Sequence, residues 1–306
     1  MAGPVAEGAP DPSPVAARPA WAPSRYRLGA DGGLRPVPSQ VNAGSWFYVL
    51  AMLKAVRCFE DSLIGDLVDL GCGQAPFLGW YGDRVRSALL VDWPGSLHDV
   101  GLVDVFADLS QPLPLESASA DTVLLSSVIE HLPEPRVTMA EVRRILRPGG
   151  CALVEIPFCY WLHEVPHDYS RLTEHGLREL CRAADLEVVH LAPFGTAFGV
   201  PCDALSKIGH TVFRQLVSGL PGSLGAPLLK GGESLLRGLQ WLSFAIARSR
   251  FCQRGLRLAT IERKLPLGYV LIARRAAGTA PGKQDLGKRA GDEPVPIGPV
   301  KGARGG

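Results

Sequence analysis

The sequence predicts an α/β fold in which a largely parallel sheet is covered on both faces by helices. Three observations carry this: short apolar runs recur through the middle of the chain, amphipathic stretches alternate with them, and the first run breaks directly into a glycine turn. A strand followed by a helix at short spacing builds a parallel sheet, because each crossover must return the chain to the same end.

Ser45 to Cys58 (SWFYVLAMLKAVRC) is apolar with few breaks, which predicts a helix packed on the sheet. LVDLGCG at 67–73 reads as a short strand running into the glycine turn, and FLGWYGDRVR at 77–86 as a helix weakened by its two glycines. SALLVDW at 87–93 is a buried strand ending in a carboxylate, and VDVFADL at 103–109 and DTVLLSS at 121–127 are the next two strands. RVTMAEVRRILR at 136–147 has an apolar side formed by Ala140, Val142, Ile145 and Leu146. It stops at Pro148-Gly149-Gly150, where proline removes a donor and glycine tolerates the reversal. CALVEIPF at 151–158 is a further strand, TEHGLRELCRAAD at 173–185 a helix with Thr173 as its N-cap, and LEVVHLAPF at 186–194 the following strand. LGYVLIARR at 267–275 supplies the last one.

These elements define one domain over 42–276, interrupted by an insertion at 195–264. A chain of 306 residues, 46% hydrophobic and 20% charged, can bury one substantial core. Residues 1–41, rich in Ala, Pro and Gly, and residues 277–306 bury too little apolar area to offset their ordering entropy and are expected to be disordered tails. A net charge of +2 carries no polyanion-binding signature, and no nucleic acid is expected as a partner. The seven cysteines lack CxxC spacing, the N-terminus lacks a secretory pattern, and no apolar run approaches the roughly 20 residues that span a bilayer. A cytoplasmic location follows as the expectation.

Gly71, Cys72 and Gly73 form the turn after the first strand. Glycine there permits a tight reversal and removes the β-carbon that would hold a ligand off the backbone. The dinucleotide fingerprint asks for a third glycine, where this chain has Pro76, so a pyrophosphate-bearing nicotinamide or flavin cofactor is disfavoured and an oxidoreductase is the weaker reading. Asp92 at the end of the second strand suits a pair of ribose hydroxyls. Asp108 can receive an exocyclic amine while Leu109 packs on a ring face, and Asp69 can sit beneath the turn or face a cationic amino-acid group. Each acid alone can be a capped strand end. Carboxylates at successive strand ends around one glycine turn point to an adenosine-type ligand.

VDLGCG, the acid in LLVDW, the FADL step and DTVLLSSVIEHLPEPRVTMAEVRRILRPGG resemble the type 11 group of class I S-adenosylmethionine-dependent methyltransferases. The resemblance is close over 65–194 and loose over 265–275. It implies a Rossmann-like, doubly wound sheet of seven strands, parallel except for an antiparallel last strand. It also implies S-adenosyl-L-methionine as cofactor, its methionine part on the glycine loop, its ribose on Asp92 and its adenine at Asp108 and Leu109. Ser126 and Ser127, leading through Val128, Ile129 and Glu130 to His131, would then border the methyl-transfer cleft. The chain departs from the group at Ala75, often glycine there, and at Pro94-Gly95, which shorten the helix after the second strand.

PFCYWLHEVPHDYSRLT at 157–173 follows the fifth strand and supplies the candidate acceptor residues. His163 or His167 can take a proton near neutral pH, Asp168 can orient such a histidine, and Arg171 can neutralise an acidic acceptor. Tyr160 and Tyr169, with His131 from the preceding loop, complete the proposed acceptor wall. Lid duty for the whole segment is the competing reading. His163-Glu164-Val165-Pro166-His167 matches the zinc-protease spacing, which requires a helical turn; Pro166 disfavours that turn, and the sequence assigns no metal.

Residues 207–264 contain ten Lys or Arg and two Glu beside many leucines, the composition of basic amphipathic helices. Peripheral contact with an anionic membrane, at its inner face, and a lid packed on the domain are the two readings of it. The expected activity is methyl transfer to a small or lipid-linked acceptor, such as a cell-envelope glycan or quinone-like intermediate. A catalytically inactive binding or scaffold protein is the alternative.

Overall fold

A computed structural model describes residues 22–195, 199–247 and 264–277. A hairpin of β1 (Tyr26–Leu28) and β2 (Leu34–Pro36) opens it. This corrects the expectation of a tail reaching residue 41. Tyr26 is buried with its ring 5.2 Å from that of Phe77, so the hairpin packs on the segment after the glycine turn. Residues 1–21 and 278–306 of the two expected tails lie outside the described residues.

Helix α1 (Trp46–Ala55) buries nearly every side chain, because it lies between the sheet and the helices of the insertion. The central strands follow as β3 (Asp66–Leu70), β4 (Ser87–Asp92), the two-residue β5 (Val105–Phe106) and β6 (Ala120–Ser126). The connection between β3 and β4 contains only a short helix, α2 (Leu78–Tyr81), where two glycines weaken the predicted longer one. After α3 (Pro135–Ile145) the chain enters β7 (Leu146–Pro157) at once. Here the expectation fails locally. Arg147-Pro148-Gly149-Gly150 does not separate helix from strand but continues the ladder, with the Gly149 amide on the Arg275 carbonyl and the Arg275 amide on the Gly150 carbonyl. Helix α4 (Glu174–Ala183) starts at Thr173, whose hydroxyl accepts from the Gly176 amide at 3.1 Å. Strand β8 (Glu187–Phe194) precedes helices α5 (Gly199–Ser218) and α6 (Gly222–Ala247), and β9 (Gly268–Arg274) closes the described fold.

The large sheet has seven strands in the order β5-β4-β3-β6-β7-β9-β8, and only β9 runs antiparallel to its neighbours. Its central strands, β3, β4, β6, β7 and β9, are buried on both faces. Leu67, Leu124 and Leu153 enter the core shared with α1, and Val68, Leu125, Val154 and Ile156 enter the one shared with α3 and α4. Strand order reverses between β3 and β6, so the loops after β3, β4 and β6 splay from the carboxyl edge around one crevice. Among the described residues no helix is long and apolar enough to cross a membrane.

Candidate active site

The crevice is a cleft of about 310 Å³. Gly71, with φ 72°, begins its floor; a β-carbon there would come within 2.6 Å of Val128, so glycine is required both by conformation and by space. Asp92 is buried and receives the Gly73 amide at 2.6 Å on one carboxylate oxygen and the Trp93 amide at 2.7 Å on the other. The acid thus ties the glycine turn to the end of β4. Asp108 is exposed at the rim, accepting the Ser110 amide at 2.8 Å, and Leu109 beside it is buried with its carbonyl bonded by Thr138. Gly71, Asp92, Asp108 and Leu109 therefore line one cleft, together with His131, His167 and Tyr169.

Other candidates lie elsewhere. Asp69 sits under the turn and accepts the Tyr81 hydroxyl at 2.8 Å. Cys72 is buried, with its amide on the Val91 carbonyl, and burial pushes its thiol far above the ordinary range. Ser126 and Ser127 turn inward and donate to Glu155 at 2.8 and 3.0 Å, where Tyr48 donates to the other oxygen at 2.8 Å. Burial raises the Glu155 carboxyl while these hydroxyls oppose the rise. Tyr160 bonds Ser45 at 2.9 Å beneath the Lys207 ammonium, which lies 3.6 Å from its ring centroid and pairs with buried Asp203. It belongs to the seat of the insertion helices and not to the cleft lining.

Arg171 is bound by both nitrogens to Asp168, at 2.5 and 2.8 Å, instead of standing ready for an acidic acceptor. That pairing holds the Asp168 carboxyl down at about 2. Asp168 also receives the His163 amide at 3.0 Å and lies 3.2 Å from His163 Nδ1. His163 packs behind His131 with ring centroids 4.7 Å apart, and burial, then His131, lowers its basicity. His167 reaches the cleft, its ring against Trp93 and its Nδ1 3.4 Å from the Tyr169 hydroxyl. No helix forms between 159 and 173, and His163 and His167 make no helical pair.

Three contributors went unassigned on sequence grounds. His98 bonds Glu164 across the cleft at 3.2 Å, which holds the Glu164 carboxyl at about 2 and raises the imidazole. Glu155 was legible as a charge inside an otherwise apolar strand. Glu130 is fully buried, and burial, followed by the nearby Glu155, holds its carboxyl well above the usual range.

A doubly wound sheet whose glycine turn and strand-end acids share one cleft defines a nucleoside-binding α/β domain. Residues 68–154, under a third of the chain, match the family model described as a methyltransferase domain. The chain is similar to malonyl-[acyl-carrier protein] O-methyltransferase of Hahella chejuensis, 30% identical over 99 residues that cover 28% of this chain and 34% of the relative. It is also similar to an uncharacterized methyltransferase of Mycobacterium avium, 36% identical over 104 residues covering 31% of this chain and 40% of that one. The match therefore spans well under half the length of either curated relative. Among solved structures, an S-adenosylmethionine-dependent methyltransferase of Mesorhizobium loti superposes with a TM-score of 0.46 at 14% identity, covering 75% of this chain and 100% of that one.

The residues fit the cofactor of that family. A backbone cradle without β-carbons at Gly71 and a buried acid at Asp92 beside it would hold the amino-acid and ribose parts, and the exposed Asp108 with the Leu109 side chain would meet the base.

Proposed function

We propose that the protein transfers a methyl group from S-adenosylmethionine to a small or lipid-linked acceptor that reacts through oxygen. The single observation carrying this reading is the convergence of Gly71, Asp92, Asp108 and Leu109 with the His131, His167 and Tyr169 wall on one cleft. The cofactor supplies an electrophilic methyl carbon. The chain aligns the acceptor, excludes water through the bridge between His98 and Glu164, and offers His167 at the cleft wall to take the acceptor's proton. The malonyl group named for the Hahella relative favours an oxygen acceptor presented on a carrier or lipid.

The insertion supports a lipid-side acceptor. Leu216, Leu220, Leu224, Leu228, Leu235 and Trp241 stand exposed on α5, α6 and the turn between them, with Arg214 and Lys230 among them. Packing as a lid alone leaves these side chains in water. The basic character of the described part is weaker than composition suggests, because Lys207 pairs with Asp203 and Arg237 with Glu233; residues 248–263 lie outside the described residues. Contact with anionic lipid predicts co-sedimentation with phosphatidylglycerol vesicles that high salt reduces; no binding at low salt rejects the contact.

The activity is tested by incubating the purified chain with methyl-labelled S-adenosylmethionine and fractionated cell extract, lipids included. Label is expected in an oxygen-methylated product. Binding of S-adenosylhomocysteine without labelling of any fraction would instead identify a non-catalytic binding module.

A further inference from the structure

Behind the cleft wall, three side chains from two loops meet in an arrangement that methyl transfer by itself does not explain. Glu130 lies on the short 3-10 turn Ile129–His131, fully buried, and neither carboxylate oxygen has a hydrogen-bond partner among the described residues. An ionised or neutral carboxyl left in that condition is costly. Two imidazoles face it. His131 Nε2 lies 3.7 Å and His163 Nε2 3.8 Å from the same oxygen, Glu130 Oε1. Both separations are too long for hydrogen bonds.

The far nitrogen of each ring is engaged. His131 Nδ1 meets the His167 carbonyl at 2.5 Å, and His163 Nδ1 faces Asp168 at 3.2 Å, an acid itself clamped by Arg171. A carbonyl and a carboxylate each ask for a hydrogen on Nδ1, which leaves the Nε2 lone pairs directed at Glu130. That is the outer support of metal-binding histidines, where the second nitrogen fixes tautomer and ring angle. The donor atoms of Glu130, His131 and His163 all lie within 4.8 Å of one another. Metal–ligand bonds of about 2.0–2.2 Å set neighbouring donors of a tetrahedron roughly 3.4 Å apart, so the two separations from Glu130 close with a few tenths of an ångström, and the two imidazole donors, within 4.8 Å of each other, with at most about 1.4 Å.

We propose that Glu130, His131 and His163 bind one divalent transition-metal ion, with zinc favoured by two imidazoles and a carboxylate, and with its open position toward the cleft. Two histidines and a glutamate form one of the open catalytic zinc sets. His131 and Glu164 both line the cleft, and Glu164 Oε2, 3.8 Å from His131 Nε2, provides a further oxygen on that side. The donor set differs from the His-Glu-x-x-His spacing, since His167 contributes only its backbone carbonyl. Resting on the methyltransferase reading, the ion's role is to hold an acceptor oxygen and favour its deprotonated form.

The test uses the full chain, freed of metal by a chelator and titrated with Co²⁺ under visible absorption, then with Zn²⁺ in competition. One equivalent of Co²⁺ is expected to give ligand-field bands that one equivalent of Zn²⁺ removes. Affinity is expected to fall about tenfold or more in Glu130→Gln and in His163→Ala. Absence of saturable uptake by the wild-type chain overturns the proposal, and so does uptake that survives both substitutions. The wild-type titration decides the matter even where a substituted chain does not fold. S-adenosylhomocysteine binding by the metal-free chain is measured alongside: its loss with metal uptake intact counts against the methyltransferase reading alone, and its persistence without metal uptake counts against the metal site alone.

Discussion

Asp92 answers two backbone amides with its two oxygens, and one of those amides belongs to the glycine turn itself. The carboxylate therefore shapes the turn as well as facing the ligand. Asp92→Ala frees the Gly73 and Trp93 amides and removes the acceptor for the ribose hydroxyls. Charge-assisted hydrogen bonds contribute about 1.5–3 kcal/mol each, so S-adenosylhomocysteine affinity should fall by roughly 100-fold in a calorimetric titration. Unchanged affinity would place the ribose elsewhere. At this scale the place of Asp92 and Asp108 on one cleft was legible because loops after parallel strands gather at one edge of the sheet. The fate of Arg171 was not: a cation in a polar loop is the same letter whether it greets a substrate or, as here, clamps Asp168.

At the scale of elements, one side-chain amide bonds the insertion to the body of the domain at two points. Gln240 of α6 is buried; its oxygen accepts the Phe47 amide at 2.8 Å and its nitrogen donates to the Ala43 carbonyl at 2.6 Å. Gln240→Leu leaves the Phe47 amide unmet, while the Ala43 carbonyl keeps the Trp46 amide, and should cost about 1–2 kcal/mol. The expected signature is faster amide hydrogen exchange in α6 and at the start of α1, with β3, β6 and β7 unaffected.

The amino-terminal edge of the sheet carries a second device. Asp66 at the start of β3 is held by Arg86 from before β4, and also by Ser87 and Arg147. Arg86, through its hydrogen bonds, leads these partners in keeping the Asp66 carboxyl below the carboxylate range. A depressed folded-state pKa gives stability that is present above the unfolded value, near 4, and is lost as pH falls toward the folded one. Arg86 is largely exposed, so screening limits the pair to about 1 kcal/mol. Urea melts should show Asp66→Asn less stable than the wild type by that amount at pH 7, with the gap narrowing below about pH 4. A gap of the same size at pH 3 would mean that Asp66 acts through packing and not charge.

For the molecule as a whole, a ligand that binds only the folded state adds RT ln(1 + [L]/Kd), about 2.7 kcal/mol at one hundred times Kd. S-adenosylhomocysteine at that excess should raise the melting temperature by roughly 5 °C, and NAD should leave it unchanged. The reverse pattern would replace the adenosyl sulfonium with a pyrophosphate ligand.

Much of this architecture could be read in advance, since doubly buried strands appear as unbroken apolar runs and their ends as Gly or Asp. The hairpin at Tyr26–Pro36 escaped because its neighbours are rich in Pro and Gly, although Tyr26-Arg27-Leu28 and Leu34-Arg35-Pro36 alternate as strands do. The early start of β7 escaped because a Pro-Gly-Gly stop signal also suits the edge of an extended ladder. Glu155 is a buried acid whose partners Tyr48, Ser126 and Ser127 lie far along the chain, and composition is blind to such partners; Lys207 and Asp203 are only four apart on α5, and what escaped there is their burial.

Strand β9 occupies the slot between β7 and β8, and among the described residues β8 has no other neighbour in the sheet. On the ribosome, β8 emerges well before residues 268–274 and has nothing to zip onto until they arrive. The half of the sheet that carries the glycine turn can assemble early, while the far edge stays ajar through synthesis of both insertion helices. Completion of this fold is consequently a late, long-range event, and the interval before it is when the nascent chain is most exposed to mispairing and most in need of chaperone cover.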